Sequence, residues 1–299
     1  MSKGGRRLRS TAYINSSNTW PAPAKLNLFL HVTGQRPDGY HELQTLFQLL
    51  AWGDEVNIEP LDEPRITRPR ASYPVQEADD LVVRAALLLQ AETACRHGAR
   101  IEVKKRIPSG AGLGGGSSDA ATVLVVLNRL WGCGLVVDEL ASIGVSLGAD
   151  VPVFIRGRSA FAAGLGDELQ PVELGDRYYM LVFPGFSVST RDVFMHPDLP
   201  RKSSTMSLTQ ALASAGRNDC EVVVKKQFPH LKRMLKDLEQ WGVVRMTGTG
   251  STLFINMPDE KTAKSTAQAI KCRYNVRAVR GVDRSPLHEL LDSGGVCGF

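Results

Sequence analysis

The chain has 299 residues, of which 43% are apolar and 22% charged, so it can bury a full hydrophobic core and form two domains. No apolar segment approaches the length of a membrane span, which argues against a membrane protein. The net charge of +5 suits a small anionic ligand, and the basic residues are too dispersed among acidic ones for a nucleic-acid surface. The five scattered cysteines lack C-x-x-C spacing, which predicts reduced thiols and a cytoplasmic location.

Two strands open the folded part of the chain, at Leu26–Val32 and Glu42–Leu50. The segment Arg36–Gly39 between them has the composition of a turn and predicts a hairpin. In the first strand the period-two alternation puts Lys25 and Asn27 side by side on one face. The pattern alone leaves two interpretations of Lys25 open, a functional cation and a lysine that protects a sheet edge.

The remaining elements alternate between helices and strands. The pattern predicts helices at Leu81–Ala94, Ala120–Trp131 and Glu139–Leu147, and strands at Ala99–Ile107, Val151–Ile155, Phe161–Ala163, Leu169–Val172 and Tyr178–Phe183. It then predicts helices at Asp219–Lys226, Pro229–Gln240 and Glu260–Cys272, a strand-turn-strand around Thr247–Ser251, and a last strand at Asn275–Arg280. We expect a disordered basic tail at residues 1–18, without the apolar core of a signal peptide, an N-terminal lobe at 19–185 and a C-terminal lobe at 186–299.

The most informative segment is Pro108–Ala121, where five glycines precede Ser117, Ser118 and Asp119. Glycines let successive backbone N–H groups curve around one anion, and the helix that follows adds free amides and the positive end of its dipole. The two hydroxyls are candidate contacts to a phosphate or to a bound magnesium ion. The segment therefore predicts a phosphate-binding loop, since glycine-rich linkers rarely separate a strand from so apolar a helix.

Three nucleotide-binding patterns compete for this segment. The P-loop pattern fails because no lysine stands between the glycines and Ser117. The dinucleotide pattern G-x-G-x-x-G matches Gly110–Gly115, but its acidic partner would fall on Asp138 or Glu139, which open a predicted helix. An NAD(P)-dependent oxidoreductase is thus a distant alternative, and a non-catalytic nucleotide-binding regulator also stays open.

Asp150 follows Gly148, which is a suitable residue to end the preceding helix. A carboxylate just beyond a helix C-terminus faces the negative end of the dipole and is disfavoured by about 0.3 to 1 kcal/mol. A function would explain why an aspartate stands there, although most isolated loop aspartates are simply solvated.

The glycine segment resembles the ATP-binding motif of the galactokinase, homoserine, mevalonate and phosphomevalonate (GHMP) kinase superfamily. Five segments occur in the order found in one family of that superfamily, whose members use ATP to phosphorylate the 2-hydroxyl of CDP-linked methylerythritol in isoprenoid synthesis: Pro23–Leu30, Arg36–His41, Gly112–Ser118, Leu147–Phe154 and Thr247–Ser251. The resemblance covers roughly Trp20 to Leu290. It implies an α+β fold with two lobes, the first resembling ribosomal protein S5 and the second ferredoxin-like, and a cleft between them.

The resemblance also implies roles for individual residues. Asp150 looks like the base that accepts the proton of the attacking hydroxyl, and Lys25 looks like the cation beside it. The implied ATP contacts are Asp80, Lys105, Pro108, Gly110, Gly112, Leu113, Gly114, Gly115, Gly116, Ser117 and Ser118. Family members often carry asparagine at the position of Asp80, so the usual contact to the base is in doubt. We expect Mg²⁺ with ATP, and the sequence does not identify its ligands.

Substrate contacts are implied for a third group of residues. Tyr40 and Phe194 resemble the aromatic pair that stacks on cytosine, and His41 resembles the group that hydrogen-bonds its edge. The full implied set is Asn27, Tyr40, His41, Asp150, Thr190 and Phe194. Another GHMP kinase, acting on homoserine or mevalonate, is the main alternative. We expect only ATP and the CDP-linked substrate as partners, neither nucleic acid nor membrane, and a monomer or weak homodimer.

Overall fold

The computed structural model describes residues 18–69, 73, 75–213 and 216–293. The predicted tail therefore lies outside the described residues, apart from Asn18. The described strands are β1 (Thr19–Gln35), β2 (His41–Leu61), β3 (Ile66–Thr67), β4 (Gly98–Lys104), β5 (Ala160–Ala163), β6 (Glu168–Pro171), β7 (Arg177–Phe183), β8 (Val244–Met246), β9 (Leu253–Met257) and β10 (Asn275–Val282). The described helices are α1 (Leu81–Thr93), α2 (Gly115–Leu130), α3 (Val137–Val145), α4 (Val151–Arg156), α5 (Thr190–Met195), α6 (Leu208–Ala213), α7 (Cys220–Gln227), α8 (His230–Leu238), α9 (Glu260–Ile270) and α10 (Pro286–Ser293).

One mixed sheet connects the whole described chain. Its main path runs β3-β4-β2-β10-β7-β9-β8, while β1 pairs with β2, and β5 pairs with both β2 and β6. Strand β10 lies between β2 and β7, antiparallel to both. The last described strand, β10, therefore joins the part that contains the glycine segment to the C-terminal part.

The predicted lobe boundary falls directly after β7. The strands on both sides of β7, which are β9 and β10, come from beyond that boundary. The exact division at residues 185 and 186 stays a prediction.

Three groups of buried side chains fill the two faces of the sheet. Helices α1, α2 and α4 pack on β1, β2 and β4, and the last helix, α10, adds Leu287 and Leu291 to the same core as Trp20. Helices α7, α8 and α9 cover β7, β8 and β9 in a second core. A third core, which includes Leu26, Leu113 and Phe254, lies between these two. Among the residues that the structure describes, no helix has both the length and the apolar character needed to cross a bilayer.

Most predicted elements are present with shifted ends, but one has the wrong type. The segment predicted as a strand at Val151–Ile155 is helix α4, which ends where Gly157 adopts φ +63°. The β-branched residues favoured a strand, whereas Pro152 is a residue typical of the first helical turn. Helices α5, α6 and α10 were not predicted.

Candidate active site

A cleft of about 590 Å³ brings together most of the residues that the sequence singled out. It is lined by the predicted residues Lys25, Asn27, Asp80, Lys105, Pro108, Gly110, Gly112, Leu113, Gly114, Gly115, Gly116, Ser117, Asp150, Thr190 and Phe194. Ser118, Tyr40 and His41 are not among its lining residues. The cleft thus contains segments from β1, the glycine segment, the start of α4 and the start of α5.

The glycine segment turns directly into helix α2. The helix begins at Gly115, earlier than the predicted Ala120, because Gly114 takes a left-handed conformation with φ +73° and acts as its N-cap. A Cβ on Gly114 would lie 2.9 Å from the Phe154 ring and 3.1 Å from Cε of Lys25, so the backbone can come this close only as glycine. The free amides of the first turn of α2 therefore start inside the glycine run and line the cleft.

The two serines of this turn have different surroundings. Ser117 lines the cleft, whereas the Ser118 side chain is fully buried and its Oγ has no hydrogen-bond partner within the described residues. The sequence predicted both serines before the start of the helix, but they lie inside its first turn. Ser117 is therefore the serine positioned to contact a ligand.

Lys25 and Asp150 form an ion pair at the centre of the cleft. Nζ of Lys25 lies 3.2 Å from Oδ2 of Asp150, and the lysine is 3% exposed while the aspartate is 32% exposed. The ammonium also donates to Oδ1 of Asn27 and to the carbonyl of Gly112, and lies 5.4 Å from the centre of the Phe47 ring. A buried cation thus holds a carboxylate that is open to the cleft.

Asp150 stands at the N-cap position of α4, and its side chain does not cap the helix. The preceding helix, α3, does end before Asp150, at Val145, but the residues after Asp150 form a helix and not the predicted strand. Asp150 therefore also lies at the N-terminal, positive end of the α4 dipole. The side chain is free to act on groups in the cleft.

Strand β1 is attached to the other walls of the cleft by short contacts. The backbone N–H of Lys25 donates to the Leu113 carbonyl (3.1 Å), and that of Asn27 donates to Oγ1 of Thr247 (2.8 Å). The Asn27 amide group donates to Oγ1 of Thr45 (2.9 Å). These bonds fix Lys25 and Asn27 as neighbours, as the alternation in the sequence predicted.

The sequence did not predict a charged cluster that lies beside the glycine segment. Nζ of Lys105 contacts Oδ2 of Asp54 and lies 2.8 Å from Oδ2 of Asp119. Oδ1 of Asp54 also accepts from the N–H groups of Arg106 and Ile107, whereas Oδ1 of Asp119 has no partner among the described residues. Two carboxylates thus share one ammonium. Burial raises the pKa of Asp119 to about 8, because the lowering effect of the positive charge of Lys105 is smaller and the negative charge of Asp54 also raises this pKa.

Asp80 has structural partners in addition to its place in the cleft wall. Its carboxylate lies 2.7 Å from Nη1 of Arg68, accepts from the Tyr73 hydroxyl (2.6 Å) and caps α1 by accepting from the N–H of Val82 (3.1 Å). Both oxygens are therefore occupied. Any contact between Asp80 and a ligand would have to share these oxygens, which adds to the doubt about its predicted role.

The ring of His41, at the start of β2, lies against the ring of Phe194 in α5. The His41 and Phe194 rings are tilted by 34° with their centres 5.3 Å apart, and Phe194 lines the cleft. Tyr40 is 66% exposed beside them. Burial lowers the pKa of His41, and the charge of Arg201 lowers it further, which favours the neutral imidazole.

Thr190 lies at the first residue of α5, on the same wall of the cleft as Phe194. Its Oγ1 is 3.0 Å from Oγ1 of Thr249, which belongs to the turn between β8 and β9. The described residues contain no group of three or more acidic, histidine or cysteine side chains arranged to hold a metal ion.

Comparisons with known proteins agree on the family. The profile of the GHMP kinase N-terminal domain matches residues 80–158, and that of the GHMP kinase C-terminal domain matches residues 195–276. A 4-diphosphocytidyl-2-C-methyl-D-erythritol kinase from Halorhodospira halophila is 49% identical over 277 residues, which are 92% of this chain and 96% of the relative.

Solved structures give the same picture. A crystal structure of 4-(cytidine 5'-diphospho)-2C-methyl-D-erythritol kinase has a TM-score of 0.76 and 34% identity, covering 88% of this chain and 99% of its own. A homoserine kinase from Cytophaga hutchinsonii has a TM-score of 0.61 at 18% identity, covering 89% of this chain and 94% of its own, and shows a shared fold alone. The predicted α+β, two-lobed GHMP kinase fold is confirmed.

Proposed function

This chain belongs to the GHMP kinases and, among them, to the family of 4-diphosphocytidyl-2-C-methyl-D-erythritol kinases, and from this premise we propose that it transfers the γ-phosphoryl group of ATP to the 2-hydroxyl of 4-diphosphocytidyl-2-C-methyl-D-erythritol. The observation that supports this most directly is the Lys25–Asp150 ion pair next to the glycine segment. Homoserine and mevalonate kinases share the fold at much lower identity. Phe194 lines the cleft and its ring contacts His41, next to the exposed Tyr40 in the chain, and these rings support a base pocket and a substrate with a nucleobase.

The proposed reaction needs a base and a cation at the attacking hydroxyl. Asp150 takes the proton of the 2-hydroxyl, since its carboxylate is open to the cleft and lies at the favourable end of α4. Lys25 pairs with that carboxylate and offsets the negative charge that gathers on the transferring group. Asn27 holds the lysine and contacts the polyol.

The ATP phosphates are bound by backbone amides of the glycine segment and the first turn of α2. Phosphoryl transfer depends mainly on positioning and on neutralising charge, and free amides at a helix N-terminus supply both. Gly114, Gly115 and Gly116 allow the close approach, with Ser117 as a side-chain contact. Lys105 lies on the same wall of the cleft, where Asp54 and Asp119 share its ammonium group.

Magnesium fits this cleft as a companion of ATP. Mg²⁺ keeps several waters and needs only one or two protein oxygens beside the phosphates, and Ser117 Oγ and the Asp150 carboxylate are the oxygens that could serve. When bound, the ion would neutralise charge on the β- and γ-phosphates. A cytoplasmic location and a monomer or weak homodimer stay predictions.

One assay tests the proposed function. The protein is incubated with Mg-ATP and, in separate reactions, with the CDP-linked substrate, homoserine or mevalonate, and the products are analysed by mass for one added phosphate. We expect the added phosphate on the CDP-linked substrate alone, and its formation to be much slower with the Asp150→Asn variant. Phosphorylation of homoserine or mevalonate at a higher kcat/KM would contradict the proposal.

A further inference from the structure

Arg201 lies in the segment after α5 and contacts the ring of His41 and the backbone of Phe194 in the proposed base pocket. Its Nε–H donates to Nε2 of His41 (3.0 Å), and its Nη2 donates to the backbone carbonyls of Phe194 (3.0 Å) and His196 (2.9 Å). Nη1 donates to the carbonyl of Leu199 (3.2 Å). One guanidinium therefore fixes the His41 ring and the backbone that carries Phe194.

The contact with Arg201 has a direct consequence for the proton of His41. A guanidinium group only donates hydrogen bonds, so Nε2 of His41 must present its lone pair to Arg201. In a neutral imidazole the other nitrogen then carries the hydrogen, and the lowered pKa of His41 keeps the ring neutral. Nδ1 therefore carries the hydrogen, and within the described residues the hydrogen bond of the His41 ring is the one between Nε2 and Arg201.

We propose that Arg201 is a positioning residue that fixes the Nδ1–H tautomer of His41 and thereby makes the pocket select cytosine over uracil. This inference rests on the proposed function, in which the base lies between Tyr40 and Phe194. Cytosine carries a lone pair at N3, whereas uracil carries a hydrogen there. The fixed Nδ1–H of His41 can donate to N3 of cytosine, whereas it would face the N3–H of uracil, which is also a donor.

Without Arg201 the selectivity would be weaker. A neutral histidine can exchange its hydrogen between the two ring nitrogens and accept from uracil N3–H through Nδ1. With Arg201 in place this second tautomer would point Nε2–H at a donor and leave two buried donors facing each other. An unpaired buried donor is disfavoured, so the exchange is suppressed.

Two substitutions separate the tautomer effect from loss of structure. Glutamine at this position in Arg201→Gln can either donate to Nε2 or accept from it, and so permits both tautomers. Lysine in Arg201→Lys only donates, and so keeps the Nδ1–H form. We expect Arg201→Gln to lower the ratio of kcat/KM for the CDP-linked substrate over its UDP-linked analogue by about tenfold or more, while kcat with the CDP-linked substrate stays near normal.

The matched variant Arg201→Lys should retain most of that ratio. If Arg201→Lys loses selectivity as fully as Arg201→Gln, the arginine acts only by holding the backbone, and the inference is overturned. Equal selectivity in all three proteins would also overturn it. Circular dichroism and melting temperature establish that each variant is folded.

A second measurement does not depend on activity. Nitrogen-15 NMR of the imidazole groups distinguishes a nitrogen that bears hydrogen from one with a lone pair, and His41→Gln assigns the His41 signals among those of the six histidines. We expect Nδ1–H in the unmodified protein. An Nε2–H ring overturns the inference even if Arg201→Gln cannot be prepared. If the protein phosphorylates neither CDP- nor UDP-linked substrate, the proposed function fails, while the NMR result still decides the role of Arg201 on the ring.

Discussion

Two aspartates of the cleft, Asp150 and Asp119, have different surroundings and therefore different chemical properties. Asp150 is a carboxylate with an ammonium partner and solvent access, while Asp119 shares its ammonium with Asp54 and has one oxygen unpartnered within the described residues. The same side-chain type is therefore suited to accept a proton in one place and to retain one in the other.

Replacing Asp150 tests the proposed base. Asp150→Asn removes the proton acceptor but keeps the size of the side chain, so we expect kcat to fall by roughly 10² to 10⁴ while KM for both substrates stays near normal. Steady-state kinetics measure this. Lys25→Met, which keeps the packing against Phe47, should also lower kcat. An unchanged kcat in Asp150→Asn would exclude its role as a base, and a change of ATP affinity alone in Lys25→Met would assign that lysine a different role.

The raised pKa of Asp119 predicts how stability depends on pH. Unfolded chains release this proton near pH 4, but the folded protein keeps it until about pH 8, so the contribution of Asp119 to the free energy of unfolding falls as pH rises between these values. Asp119→Asn keeps an oxygen for Lys105 and removes this dependence. We expect urea unfolding to show Asp119→Asn gaining stability, relative to the unmodified protein, from pH 5 to pH 8. Asp62→Asn, which replaces an exposed aspartate, serves as the control. If Asp119→Asn and the unmodified protein differ in free energy of unfolding by the same amount at pH 5 and at pH 8, the pKa of Asp119 is not raised.

The proposed base pocket gives a third prediction at this scale. Tyr40→Ala should raise KM for the CDP-linked substrate by an amount equivalent to about 1 to 3 kcal/mol, since stacking on an aromatic side chain contributes that much per base. Tyr40→Phe keeps the ring and should have a smaller effect. KM for ATP should hardly change in either variant, and a parallel rise of both KM values would argue against a separate pocket.

Helices and strands differ in how well the sequence predicted them. Helix α1 was found almost to the residue, because an apolar run of helix-forming residues follows Asp80, which caps it. Helix α4 was taken for a strand because six residues give too few turns for a helical period to appear. The Lys105 cluster could not be found, because Asp54 is 51 residues away from it in the chain and only the pairing of β2 with β4 brings them together. The pairing of Lys25 with Asp150 was expected from the family resemblance alone, since no local pattern connects the two.

The first turn of α2 can be tested with two glycines that differ in their freedom. A Cβ on Gly116 would meet only Cδ1 of Leu81, at 3.3 Å, and its φ is not in the left-handed region, so Gly116→Ala should leave the melting temperature of the free protein unchanged or slightly higher. Because Gly116 lines the cleft, the added methyl group should weaken ATP binding, as measured by calorimetry. Gly114→Ala, with φ +73° and a crowded Cβ, should lose both stability and ATP binding. Unchanged ATP affinity in Gly116→Ala would place the phosphates elsewhere.

At the scale of the whole molecule, the cleft joins residues from distant parts of the chain. Lys25, Gly114, Asp150 and Thr249 all contribute to its lining, so a ligand that fills it connects β1, α2, α4 and the β8–β9 turn. The sequence predicted the elements, but the order of strands that creates this arrangement depends on long-range pairing, for which no local pattern exists.

ATP should therefore stabilise the entire described fold. At a concentration 100 times its Kd, a ligand that binds only the folded state adds about 2.7 kcal/mol to the free energy of unfolding, which corresponds to roughly 4 °C in Tm for a chain of 299 residues. A thermal shift with Mg-ATP but none with NADPH is the expected result. A shift with NADPH alone would instead favour the dinucleotide interpretation of Gly110–Gly115.

The position of β10 has a consequence for synthesis of the protein in the cell. Residues 275–282 leave the ribosome after every other strand that the structure describes, yet their strand lies between β2 and β7, and α10 completes the core around Trp20 only after that. A nascent chain that lacks them has both walls of the cleft but no strand to join the walls. Phosphoryl-transfer activity should consequently appear only after residues 275–293 have been synthesised, and a ribosome stalled before residue 275 should display a chain without it.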